Sequence, residues 1–143
     1  MRFVNKRMVI AINQMCVDLS GGTAFAGNNI RKGQNLSFVD HIFYNEIFGQ
    51  KIYNDIYHQA AAYLFHIVKN HSFIDGNKRT GLACALTFLQ WNGYYIQPMD
   101  ADSSYELIIE VAAGPNQPEQ QLPQIAAWLE SISEYSQQGS EVP

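Results

Sequence analysis

The sequence predicts an all-α fold, a compact bundle of about six helices with one small β-hairpin before the central helix. Three observations carry that expectation. Apolar residues recur at helical spacing, most strongly over residues 54–69 and 78–91. Hydrophobic residues make up 47% of the 143 against 15% charged, enough to fill one core and too apolar for a disordered chain. Glycine and asparagine fall between these segments, where helices should stop.

Taken in order, residues 5–19 set Val9, Ile10, Ile12, Met15, Cys16 and Leu19 at helical spacing, and Gly21-Gly22 should end that helix. The Gly- and Asn-rich stretch 22–34 reads as a loop, and 36–48 can form a short helix. Residues 48–53 leave too little chain for anything but a turn or small hairpin. The clearest helix covers 54–69, with Ile56, Ala60, Tyr63, Leu64, Ile67 and Val68 on one face. After a break at 70–76, a second strong helix over 78–91 buries Leu82, Ala85, Leu86 and Leu89 and closes at Asn92-Gly93. Helical patterns recur at 103–113 and 121–133. Residues 1–136 read as a single domain and 137–143 as a frayed tail.

Composition excludes several functions. Apolar runs are too short to span a membrane, and the basic N-terminal stretch lacks the long apolar core and cleavage site of a signal peptide. Cys16 and Cys84 lie in separate apolar helices with no zinc or disulfide pattern, so a cytoplasmic location is expected. The net charge of −4 is uneven: up to Arg79 nine bases face five acids, a balance of +4, whereas Thr80 onward carries eight acids and no base. An anionic ligand therefore belongs in the first half. The bases are few and scattered apart from Lys78-Arg79, which argues against direct nucleic-acid binding.

The chemistry concentrates between the two strongest helices, at His71-Ser72-Phe73-Ile74-Asp75-Gly76-Asn77-Lys78-Arg79. Asn77 reads as the N-cap of the second helix, with Lys78 and Arg79 in its first turn. Bases there oppose the helix dipole by roughly 0.3–1 kcal/mol, which makes sense if a phosphate occupies the spot. Gly76 permits positive φ or close approach of a ligand, and Asp75 is a hard carboxylate suited to Mg²⁺ beside phosphate oxygens. His71 can accept a proton from a hydroxyl, and Phe73 can turn inward to pin the loop. Singly, each residue has a duller reading: a solvated basic pair, an ordinary turn, a surface histidine. Together they describe a metal–triphosphate site with a base beside it.

The run His71 to Arg79 resembles the H-x-F-x-D-(A/G)-N-K-R motif of the Fic/Doc family, in particular its death-on-curing (Doc) toxin branch. The resemblance extends over residues 36–129, including Ala60-Ala61-Ala62-Tyr63-Leu64-Phe65 before the motif and Ile125-Ala126-Ala127-Trp128-Leu129 near the end. It implies the family's helical fold, His71 as general base, and Asp75 as Mg²⁺ ligand. Gly76, Asn77, Lys78 and Arg79 would hold the nucleotide, with Lys78 and Arg79 also serving the transfer. Residues 48–53 fall at the family's flap, which docks a target backbone by strand pairing.

Departures from the wider family indicate the branch. AMP-transferring members usually have glycine where this chain has Lys78, and a second arginine where it has Leu82. In the Doc branch that lysine accompanies an inverted ATP and transfer of its γ-phosphate. Ser72 replaces a frequent proline, and Arg31 is followed by Lys32 where an acid is usual. The resemblance thus implies a Mg²⁺- and ATP-dependent kinase of a toxin–antitoxin system. Its target would be a cytosolic protein, for which the family suggests a translation factor such as elongation factor Tu, and an antitoxin would act in trans. The alternatives are a nucleotidyl (AMP) transferase and a non-catalytic nucleotide-binding module with the same fold.

Overall fold

The computed structural model describes residues 1–20 and 29–136. The expected stop at Gly21-Gly22, most of the 22–34 loop and the 137–143 tail lie outside the described residues. The described residues form six helices in the expected order: α1 (Lys6–Ser20), α2 (Phe38–Tyr44), α3 (Ile56–Lys69), α4 (Asn77–Trp91), α5 (Ala101–Ala113) and α6 (Pro118–Ser131). A hairpin of β1 (Glu46–Ile47) and β2 (Gln50–Lys51) separates α2 from α3.

The central pair is α3 against α4. Residues Ala60 to Phe65 of α3 are all fully buried, and the three alanines let neighbouring helices come close. Gly81 permits a close approach: a Cβ there would lie 3.1 Å from the Leu64 carbonyl oxygen and 3.2 Å from Val68. Leu64, Phe65, Ile67, Phe88, Leu89, Ile125 and Leu129 are wholly buried in one continuous core, each worth ~1.5–3 kcal/mol of burial. Tyr63 ties the N-terminal segment to this core, its hydroxyl donating to the Val4 oxygen (2.8 Å) and accepting from the Val4 amide (3.1 Å). Asn92, just past α4, accepts from the Arg2 amide and donates to the Arg2 oxygen, both at 2.8 Å.

Three expectations need correction. The 36–48 helix is shorter, because Asn45 adopts a left-handed conformation (φ 52°) and its amide grips the backbone of Tyr53 from both sides. The flap hairpin therefore starts at Glu46, with Phe48 (φ 51°) and Gly49 (φ 77°) forming its two-residue turn. The last helix stops at Ser131, and Ser133–Tyr135 (β4) pairs with Tyr94–Ile96 (β3). Local periodicity cannot report that pairing, since its partners are about forty residues apart and three residues long. Finally, the N-cap of α4 is Gly76, and Asn77 is the first helical residue.

Candidate functional site

The α3–α4 connection is built by both helix ends. His71 sits in the left-handed region (φ 47°) just beyond α3. Its amide reaches the Val68 oxygen (3.3 Å) and the Ser72 amide reaches the Ile67 oxygen (3.4 Å), a paired closure usually built around glycine. The chain then turns inward at Phe73, which is fully buried, as the sequence led us to expect. The Asn77 amide grips Phe73, accepting from its N–H and donating to its carbonyl, each at 2.8 Å. The side chain of Asn77 thus clamps the loop, and its backbone N–H is what it can offer a ligand.

Two further elements hold the loop. Residues 29–31 run antiparallel to 72–74: the Ile74 amide donates to Asn29 O (2.8 Å) and the Arg31 amide to Ser72 O (3.0 Å). From α1, Asn13 is buried and donates through Nδ2 to Asp75 O (2.9 Å) and to Thr80 Oγ1 (3.1 Å). Gly76 follows at φ 78°, and a Cβ on it would meet Val17 at 3.1 Å and Asn13 at 3.3 Å. Glycine is favoured here by conformation, and any Cβ would have to be accommodated by small shifts of the Val17 and Asn13 side chains.

The result is a cavity of about 550 Å³. His71, Asp75, Gly76, Asn77, Lys78 and Arg79, every site residue expected from the sequence, border it. Val68, Ile74, Tyr105, Ile108 and Ala112 make the apolar part of its lining, the last three from one stripe of α5. Lys69 positions that helix, donating to the carbonyl oxygens of Ala112 (3.0 Å) and Gly114 (2.6 Å) at its C-terminal end.

The electrostatics favour an anion. Gly76 supplies no side-chain cap, and the first turn of α4 contains no acid. Lys78 and Arg79 are exposed there, and neither joins an ion pair among the described residues. The exposed Asp75 accepts the Gly76 amide on Oδ1 at 2.8 Å. Beneath the turn, burial pushes the Cys16 thiol up, opposed by a hydrogen bond with Thr80 and by the charge of Arg79.

Sequence reasoning missed Asn13, Asn29 and the α5 wall. The signal for Asn13 was present: it is a lone amide within the apolar face of α1, four residues from both Val9 and Val17. A buried amide must find partners. Nothing in the spacing distinguishes the stripe of Tyr105, Ile108 and Ala112 from an ordinary core face.

Comparison with known proteins agrees with this geometry. The chain is 40% identical over 67 residues to Toxin Doc of Mycolicibacterium smegmatis, a match covering 46% of this chain and about half of that protein (52%). It is 30% identical over 115 residues to Protein kinase doc of Escherichia phage P1, covering 80% of this chain and 85% of the relative. The Fic/DOC family model matches residues 3–89, which include α1, the flap hairpin, the whole motif loop, all of α3 and most of α4. With more than half its length matched and the motif residues gathered around one cavity, the chain belongs to the Fic/DOC family.

Proposed function

We propose that the chain is a Doc-type toxin that transfers the γ-phosphate of ATP to a serine or threonine hydroxyl of a target protein. The observation that carries this reading is the start of α4: without a side-chain cap, with no acid in its first turn, bearing Lys78 and Arg79, and open to a cavity that His71 and Asp75 also border. Backbone N–H groups and the two bases would bind the triphosphate. The apolar stretch from Val68 to Ala112 would take the less polar part of the nucleotide.

The donor set fits magnesium. Among the described residues no group of three His, Cys, Asp or Glu could cage a metal. A lone exposed carboxylate such as Asp75 suits an ion that completes its shell with phosphate oxygens and water. Bound there, magnesium would neutralise charge developing on the phosphates. The His71 imidazole takes the proton from the attacking hydroxyl as its oxygen bonds to the γ-phosphorus, and ADP leaves. Lys78 and Arg79 hold the phosphates during transfer.

The flap supplies the docking element for the target. Phe48 is completely exposed at the hairpin turn, beside Ile47 at 48% exposure, an apolar tip flanked by strand edges that a target backbone can pair with. Similarity to proteins named Toxin Doc and Protein kinase doc supports a protein target and an antitoxin acting in trans. A translation factor such as elongation factor Tu is proposed as that target on the resemblance of the motif loop alone. No helix among the described residues is long and apolar enough to cross a membrane.

The test is to incubate the protein with cell lysate and ATP labelled separately at the α- and γ-positions, then identify the labelled protein. The expected result is one target labelled from the γ-position only. Label arriving from the α-position would instead establish nucleotidyl transfer.

A further inference from the structure

We propose that Asn13 is a positioning residue for this site, holding from α1 the Asp75–Gly76 turn in the shape that presents the Asp75 carboxylate to the cavity. The proposal rests on the reading of Asp75 as the magnesium ligand given above.

Asn13 is 1% exposed and lies between Val9 and Val17, both wholly buried, on the inner face of α1. An amide there is unfavourable unless its hydrogen bonds are made. Asn13 makes three: Nδ2 donates to Asp75 O and Thr80 Oγ1, and Oδ1 accepts from Asn29 Nδ2 at 3.1 Å. These partners sit on both sides of Gly76 and on the segment that pairs with the loop. The Asp75 carbonyl is thereby held by α1, its carboxylate by the Gly76 amide, and the preceding Ile74 amide by Asn29 O. Asp75 is the only carboxylate among the described residues that line the cavity, so its orientation determines how a metal would be met. Groups that orient a ligand in this way typically affect metal affinity by ~10–100-fold.

Wild type, Asn13→Leu, Thr80→Val and the control Val9→Ala would be compared at a temperature where circular dichroism shows each folded. Leucine keeps the number and branching of asparagine's side-chain heavy atoms, though it is bulkier, and removes all three bonds. The first readout is amide hydrogen exchange at Ile74 and Thr80, which bond to Asn29 O and Gly76 O. Asn13→Leu should speed exchange at both by ~10-fold or more while amides inside α3 keep their rates, and Val9→Ala should leave Ile74 and Thr80 unchanged. The second readout is ATP binding as a function of Mg²⁺ concentration. Half-saturating Mg²⁺ should rise ~10-fold in Asn13→Leu and less in Thr80→Val, with excess Mg²⁺ restoring binding, and should not move in Val9→Ala.

The proposal is overturned if Ile74 and Thr80 keep their protection in Asn13→Leu. It is equally overturned if the Mg²⁺ requirement is unchanged while binding falls only with the folded fraction. Should Asn13→Leu fail to fold, Thr80→Val decides by the same criteria. If wild type shows no Mg²⁺-dependent ATP binding, the functional reading of the site fails, and hydrogen exchange alone then decides whether Asn13 sets the turn.

Discussion

Helices α4 and α5 begin in opposite ways. At α5, Asp100 accepts the Asp102 amide at 3.2 Å and Asp102 adds a negative charge to the first turn, so both side chains serve the helix. At α4 the N-cap is glycine, the first turn has no acid, and two bases face the positive end of the dipole. The same contrast divides the ends of α3. Asp55 caps its start, accepting the His58 amide at 2.9 Å, whereas its end closes on His71 where glycine would be unstrained. The unfavourable choices meet at the cavity and the favourable ones lie away from it. Local instability of that kind is the physical ground for proposing that a ligand completes the structure there.

The largest effect expected from breaking this contrast is at His71. His71→Gly should lower phosphoryl transfer ~10²–10⁴-fold. It should nevertheless leave the fold as stable or up to ~1 kcal/mol more stable, because the left-handed position is relieved. His71→Ala should be less stable than His71→Gly. Initial rates and urea unfolding of the three proteins check both halves.

A second histidine sharpens the comparison by doing the reverse. His66 stacks on Phe38 at 5.3 Å and packs edge-on to Phe65 at 5.1 Å. Burial, with a smaller contribution from His41, presses its imidazole down from 6.5 to about 4. Between those values the unfolded chain binds more protons than the folded one. The stability that His66 contributes is therefore complete above pH 6.5 and is lost as the pH falls toward 4. That loss should be on the order of 2 kcal/mol. His66→Phe should flatten this part of the stability–pH profile without affecting transfer at neutral pH.

At the capped end, Asp100→Ala should cost ~0.5–2 kcal/mol of stability and leave Mg-ATP binding unchanged, as chemical denaturation and nucleotide titration would report.

The central helices were legible because Leu64, Ile67, Ala85 and Leu89 repeat at a helical period and are all wholly buried, although Leu82 and Leu86, expected on the buried face of α4, are only partly covered. The site was legible for a different reason: its residues are contiguous, so one loop carries His71, Asp75 and the basic pair together. Features made by distant partners escaped. Asn77 looked like a cap because its residue type suits one, yet its amide closes on Phe73 four residues back. The β3–β4 pairing joins Tyr94 to Tyr135, and the α1 contribution joins Asn13 to Asp75. Neither long-range contact leaves a local periodicity to read.

The central claim is that the start of α4 sacrifices stability to bind a phosphate, and Lys78→Glu tests it most directly. This change gives α4 the first-turn acid that α5 has, and should raise the stability of the nucleotide-free protein by ~0.3–1 kcal/mol. Thermal unfolding of wild type and variant would be measured with and without Mg-ATP. Without nucleotide the variant should melt higher. With nucleotide at ~100 times its Kd, wild type should gain ~2.7 kcal/mol and overtake a variant that gains little. The account is contradicted if the variant melts lower without nucleotide, or if Mg-ATP stabilises both proteins equally.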